Sequence, residues 1–181
     1  CSSDLLYSIA YPLADGEGEV VVATVRPETM LADVAVAVHP EDERYRHLIG
    51  KEVVLPIVGR RLPIIGDEYV KTDFGTGCLK ITPGHDPNDF EIGRKHKLPE
   101  LSVIGEDGLM TDDAGPAFAG MTVADAQAAV IVFLDAEGLL RARDEYIHTV
   151  PFSHRSGARI EPLISQQWFM DMRGLAQPAI D

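Results

Sequence analysis

Short apolar runs and short polar breaks alternate along this chain, and the period of the runs changes from place to place. "DLLYSIAYPL" (Asp4 to Leu13) partly alternates and predicts a strand, and "ADGEGE" after it predicts a turn. "VVVATV" (Val20 to Val25) is β-branched and apolar, the signature of a buried strand. It runs into "RPETMLAD", where Pro27 suits the first position of a short helix. "VAVAVH" (Val34 to His39) predicts another strand. "PEDERYRHLIG" (Pro40 to Gly50) reads as a charged surface helix closed by Gly50. Glu52 to Val70 predicts short strands broken by Pro and Gly, and "CLKIT" (Cys78 to Thr82) predicts one more. A helix follows from about Pro87 to Lys97, then a hairpin around Glu106-Asp107-Gly108 and an irregular loop. The clearest helix spans Thr122 to Gly138, with Thr122 as N-cap and Gly138 as stop. "LLRARDEYIHTVPF" and "ARIEPLISQQWFMDM" predict extended strands.

Strands dominate, helices are few, and the two do not alternate regularly. That argues against a doubly wound parallel sheet. The expected fold is mixed α/β and β-rich, a β-barrel-like or strongly curved core with peripheral helices. The 181 residues suffice for one domain with its own core. No apolar run is long enough to span a bilayer. The opening residues lack a signal-peptide pattern and an initiator Met, so the segment is expected to be cut from a longer chain. Cys1 and Cys78 form no C-x-x-C pair, which fits a reducing, cytoplasmic setting. The net charge of −13 argues against gripping long nucleic acid by charge alone. It leaves open the handling of one end of a nucleic acid held elsewhere.

Candidate chemistry concentrates in "GTGCLKITPGHDPNDFEIG" (Gly75 to Gly93). Asp86 before Pro87 is a good N-cap, and Asp89 at the third helical position suits the helix dipole. Both acids therefore have a structural explanation. A functional one stands beside it: carboxylates held ionised at a helix start receive an ammonium group well. Lys80 and Thr82 share one face of the preceding strand and point toward those acids, although a strand lysine more often points to solvent. Gly75 and Gly77 permit close backbone approach or simply make a tight turn. A second cluster, Thr24, Arg26, Glu28 and Thr29, gathers where a buried strand meets a short helix, a common place for ligands. His85 beside Asp86 invites a metal reading, but no second histidine lies at ligand spacing, and none is expected to bind. No covalent nucleophile with a base partner is visible.

"ATVRPETMLADVAVAVHPEDERYRHLIGK" followed by "FGTGCLKITPGHDPNDFEIG" strongly resembles the editing domain of valyl-tRNA synthetases, the insertion in class I synthetases called connective polypeptide 1. Leucyl relatives typically read T-T-R-P-D-T in the first motif, and isoleucyl relatives a Thr-rich stretch without Arg-Pro-Glu-Thr. The resemblance implies a single editing domain over residues 1–181, with 1–19 and 150–181 including strands that join the aminoacylation domain. The H-I-G-H and K-M-S-K-S types of that larger domain are missing, so no aminoacylation is expected of this segment. The implied activity is hydrolysis of threonine mischarged on the tRNA for valine, with threonyl-adenylate as a further substrate and no cofactor.

Residue roles follow from motif position. Asp89 would bind the substrate ammonium. Asp86, Lys80 and Thr82 would surround the threonine side chain and reacting carbonyl, with Lys80 contacting the threonine hydroxyl. Arg26, Thr29 and Phe74 would hold the terminal adenosine, with Thr24 and the amides around Gly75 and Gly77 beside them. Two departures stand out. Position 84 is Gly where relatives often have Ala, expected to loosen the turn. Ser153 and Ser156 stand where some relatives carry a zinc-binding C-x-x-C, so no zinc is expected. Rival readings are a metal-dependent hydrolase built on His85, Asp86 and Asp89, a non-catalytic module for the acceptor end, and the same fold acting on tRNA for isoleucine or leucine.

Overall fold

The structure is a computed structural model that describes residues 2–148, 150–157 and 160–165. Two sheets organise it. The first has the order β2-β1-β7, from β1 (Ser2–Pro12), β2 (Glu19–Thr24) and β7 (Leu140–His148). Both pairings are antiparallel, and a register shift at Ser8/Ile9 bends β1 against β7. The second has the order β4-β5-β3-β6, from β3 (Ala35–Val38), β4 (Glu52–Val54), β5 (Arg61–Gly66) and β6 (Cys78–Ile81). Here β3 pairs parallel with β5 and antiparallel with β6. The described strands form these two sheets and not one closed barrel, so the barrel-like expectation holds only loosely.

The core explains the sequence pattern. All four residues of β3 are buried, as a continuous apolar run requires, while β2 alternates between buried and partly exposed positions. Ile9, Tyr11, Val20, Val22, Val36, Val38 and Leu62 fill one cluster. Helix α2 (Val123–Ala136) lays Ala126, Val130 and Leu134 onto that cluster, at helical spacing. Thr122 caps it by accepting the Asp125 backbone N–H at 3.2 Å. Helix α1 (Pro87–His96) buries Asp89, Ile92 and Gly93. A short 3-10 helix, Pro27–Ala32, is wholly buried.

Two expectations need correcting. Pro40 to Gly50 is not a helix but a series of turns with a three-residue 3-10 helix, Arg46–Leu48. Asp42 accepts the Arg44 backbone N–H at 3.0 Å as well as the Arg44 guanidinium. A side chain that satisfies backbone donors locally competes with helix formation. In addition, Leu48 is the buried apolar residue of this stretch, too little for a helical face. The second concerns Gly84. A Cβ there would sit 1.9 Å from the Leu101 carbonyl oxygen. The glycine therefore lets the turn before α1 press against Leu101 and Ser102, which tightens this contact rather than loosening it.

Near the C-terminus, the strand expected over 158–172 lies largely outside the described residues, and residues 160–165 are irregular. Where some relatives carry the C-x-x-C pair, Ser153 makes a turn: its hydroxyl accepts the Ser156 N–H at 3.3 Å and its carbonyl the Gly157 N–H at 2.8 Å. No helix among the described residues is long and apolar enough to cross a membrane.

Candidate functional site

Three elements meet at one pocket: the end of β2 with the 3-10 helix after it, the end of β6, and the start of α1. At the end of β2, Thr24 accepts the Arg26 N–H at 3.0 Å and turns the chain. Pro27 then starts the 3-10 helix, and the Thr29 hydroxyl donates back to the Arg26 carbonyl at 3.0 Å. Arg26 is held by two acids, Glu28 at 3.1 Å and Glu161. Glu28 is buried and also accepts from Gln127 of α2.

Lys80 does not point to solvent; it is 7% exposed. Its ammonium donates to Asp33 Oδ1 at 2.9 Å, to Thr29 Oγ1 at 3.1 Å and to Thr82 Oγ1. An ammonium has three protons, and all three are engaged. Thr82 in turn donates to Asp33 Oδ1 at 2.6 Å, and Tyr11 donates to Asp33 Oδ2 at 2.7 Å. Burial pushes the Asp33 carboxyl above its ordinary range, and Lys80, Thr82 and Tyr11 pull it back. Any contact from Lys80 to a substrate hydroxyl must therefore exchange one of these partners.

At the start of α1, Asp86 accepts the Asn88 and Asp89 N–H groups at 2.8 and 3.0 Å, as an N-cap does. Asp89 folds back and accepts the Thr82 N–H at 2.9 Å. Burial and the neighbouring Asp86 push its carboxyl up to about 7, against the opposing pull of Lys80 and the Thr82 amide. Asp89 is thus a buried carboxylate without a cation bonded to it among the described residues. His85 sits between the two acids and the loop at Val103, and burial, with Arg26 and Lys80 nearby, holds it down at about 4.

These residues enclose a cavity of about 260 Å³. Of the residues expected from sequence, Thr24, Arg26, Thr29, Lys80, Thr82, Asp86 and Asp89 line it. Phe74, Gly75 and Gly77 do not. They line a neighbouring cavity of about 420 Å³ that shares Ala23 and Leu79 with the first. Phe74 is half exposed and meets Tyr146 edge-on at 5.9 Å. Gly77 has φ 81°, a backbone conformation that calls for glycine; the nearest neighbour of a Cβ there is the tip of the flexible Arg44 side chain at 2.5 Å, which can move aside. Sequence reading missed Asp33, Tyr11 and Glu161. Asp33 had a signal: an acid inside the apolar run "MLADVAVAV" needs a buried cation, and Lys80 sits between apolar Leu79 and Ile81. Among the described residues, no group of three or more His, Cys, Asp or Glu side chains is arranged to hold a metal ion.

A family model described as the editing domain of leucyl-tRNA synthetase matches residues 42–128. Over 97% of its length, the chain is 56% identical to a valine–tRNA ligase of Anoxybacillus flavithermus and 55% identical to those of Geobacillus stearothermophilus and Bacillus anthracis. It spans about a fifth of the length of these curated relatives, 20% in each case. Among solved structures, its fold resembles the agnB2 LeuRS of Agrobacterium radiobacter K84, solved as a ternary complex with tRNA and LeuAMS. That likeness has a TM-score of 0.61 at 20% identity, over 80% of this chain and 20% of that one. GlLeuRS-CP1 has a TM-score of 0.56 at 17% identity, over 71% of this chain and 84% of that one. The chain belongs to the connective polypeptide 1 editing domains of class I aminoacyl-tRNA synthetases. Within that class, the sequence relatives named above are valine–tRNA ligases.

Proposed function

We propose that this domain hydrolyses the ester that joins threonine to the tRNA for valine, as the proofreading part of a cytoplasmic valyl-tRNA synthetase, and that threonyl-adenylate is a further substrate. The observation that carries this reading is the pairing, in one small cavity, of Asp89 with the hydroxyls of Thr29 and Thr82. Asp89 lacks a bonded cation, and its carboxyl is held near 7 by burial. An incoming α-ammonium supplies the missing cation and brings the carboxyl back toward its ionised form. The hydroxyls and Lys80 offer polar partners to a substrate hydroxyl. The threonine hydroxyl can exchange into the Lys80, Thr29 and Thr82 bonds, whereas the methyl group of valine in its place can exchange with none of them.

Such a pocket meets a physical need. Threonine and valine are nearly the same shape, and the established figure for valyl synthetases themselves is that an apolar synthetic pocket rejects threonine by only about 10²-fold. With the ammonium on Asp89, the ester carbonyl would lie beside the Lys80 ammonium and Thr82. These preorganised groups favour the negative charge that develops as water attacks. The attack is read as direct, without an acyl-enzyme, since none of the described residues that line the cavity is a nucleophile with a base partner. Arg26 and Thr29 would hold the terminal ribose and phosphate, and Phe74 with Gly75 and Gly77 the base, in the adjoining cavity.

The test is deacylation of threonyl- and valyl-tRNA for valine by this chain, with and without EDTA. Faster loss of threonine, insensitive to EDTA, is the expected result. Loss of activity on chelation would favour the metal-dependent alternative. Binding without turnover, both here and in a full-length synthetase carrying the domain, would overturn hydrolysis.

A further inference from the structure

His85 is a buried residue whose chemistry the proposed hydrolysis leaves unused. It stands in the turn between β6 and α1 and is 3% exposed. Its Nε2 accepts the Val103 backbone N–H at 2.9 Å. An imidazole nitrogen that accepts carries no proton, so the neutral ring has its proton on Nδ1. Nδ1 is the one buried side-chain nitrogen or oxygen among the described residues with no hydrogen-bond partner. Leaving a buried donor unpaired costs about 1–3 kcal/mol, so a native structure that keeps one has a reason for it.

The surroundings supply the reason. The carbonyl that acts on the His85 ring is that of Pro162. Pro162 lines the same cavity as His85, together with Pro151 and Ile160. Ile160 donates its N–H to the Pro151 carbonyl at 3.0 Å, which joins these residues into one wall. Glu161, in the middle of that wall, pairs with Arg26. The wall is thus tied to the pocket at Arg26, and His85 presents a second, incomplete tie beside it.

We infer that His85 is a positioning residue of this pocket: its Nδ1–H serves the Pro162 carbonyl and fixes the wall of Pro151, Ile160 and Pro162, and the position of that wall sets which acyl side chains fit. The bond is completed when the pocket is filled. Burial, with Arg26 and Lys80, keeps the ring neutral through the physiological range, so it acts as a fixed donor and exchanges no proton in the reaction. The role in selectivity rests on the proposed function; the tie to Pro162 does not.

Two substitutions separate the two ring nitrogens. His85→Gln keeps an acceptor for Val103 and loses the donor at the Nδ1 position. His85→Asn keeps a donor near Nδ1 and loses the reach to Val103. For His85→Gln, the melting temperature should stay within about 3 °C of the parent. Its kcat/KM for threonyl-tRNA should fall about tenfold, with the threonine-over-valine ratio narrowed through KM. For His85→Asn, the melting temperature should fall while that ratio is kept. Parent-like selectivity in His85→Gln, or losses in both variants that merely follow stability, would overturn the inference.

A measurement independent of activity uses imidazole ¹⁵N–¹H NMR on the chain alone and with an amide-linked threonyl-aminodeoxyadenosine. A slowly exchanging Nδ1–H that shifts downfield with this probe is expected. Fast exchange in both states would sink the tie to Pro162. If the chain hydrolyses no aminoacyl ester, the functional reading fails, and this spectrum still decides the role of His85.

Discussion

Helix α1 has a buried carboxylate at each end, and the two are in opposite conditions. At its C-terminal end, Asp67 accepts from Lys95 Nζ at 2.9 Å, from His96 Nε2 at 2.8 Å and from the Tyr69 N–H at 2.9 Å. Burial acts to raise Asp67, but the Tyr69 amide, the Lys95 ammonium and the His96 hydrogen bond overcome it and hold the carboxyl down at about 2. At the N-terminal end, Asp89 has one amide, a neighbouring acid and a lysine committed elsewhere, and it stands at about 7. Both acids are almost fully buried. The difference is in the partners. Asp67 is complete within the fold, whereas Asp89 has no cation bonded to it among the described residues. A shifted carboxyl marks a site only when the group that would relax it is missing from the protein itself.

That contrast can be broken most forcefully at Lys80. Lys80→Met leaves Asp33 buried without its cation, and stability should fall by about 3–5 kcal/mol in denaturant unfolding. Pairing it with Asp33→Leu should recover most of the loss, because both charges then go together. The single substitution should also move Asp89 above 7, seen by NMR titration, since Lys80 is a cation that acts on it.

Next in size is Asp89→Asn. Deacylation should lose about 100-fold in kcat/KM, measured with threonyl-tRNA. Its effect on stability has the opposite sign. The folded pKa of Asp89 lies above the ordinary 3.8, so its favourable contribution is whole below 3.8 and lost as pH rises through about 7. At pH 8 the ionised acid destabilises the empty domain, and the Asn variant should be more stable by about 1–3 kcal/mol. A variant that is both inactive and less stable at pH 8 would put Asp89 in the same category as Asp67.

The smallest effect belongs to Asp67→Asn. Its depressed pKa contributes stability that is present above 3.8 and lost as pH falls toward 2. The variant should lose about 1–2 kcal/mol at pH 7, flatten the acid limb of the stability profile, and leave deacylation unchanged.

The strands, α1, α2 and both N-caps were legible from local pattern, because apolar period and capping chemistry are local properties. The motif residues that converge on the cavity were legible for the same reason: strand β6 and helix α1 are adjacent in sequence, so Lys80, Thr82, Asp86 and Asp89 had to be neighbours. What was not legible depends on pairing at a distance. Asp33 meets Lys80 only because β3 lies beside β6, and Tyr11 reaches Asp33 from the other sheet. Glu161 meets Arg26 across 135 positions. The segment at Pro40 to Gly50 misled for a local reason, since the side chain of Asp42 takes the Arg44 N–H that a helix would have used.

The engagement of all three Lys80 protons has a consequence for chemical safety. A pocket that receives activated acyl esters beside a primary amine risks being acylated by its own substrate, because a lysine nitrogen with a free lone pair attacks an ester readily. Here that nitrogen is an ammonium tied to Asp33, Thr29 and Thr82, with no lone pair to offer. On the proposed function, water is left as the nucleophile, and the domain would be spared from modifying itself at each encounter.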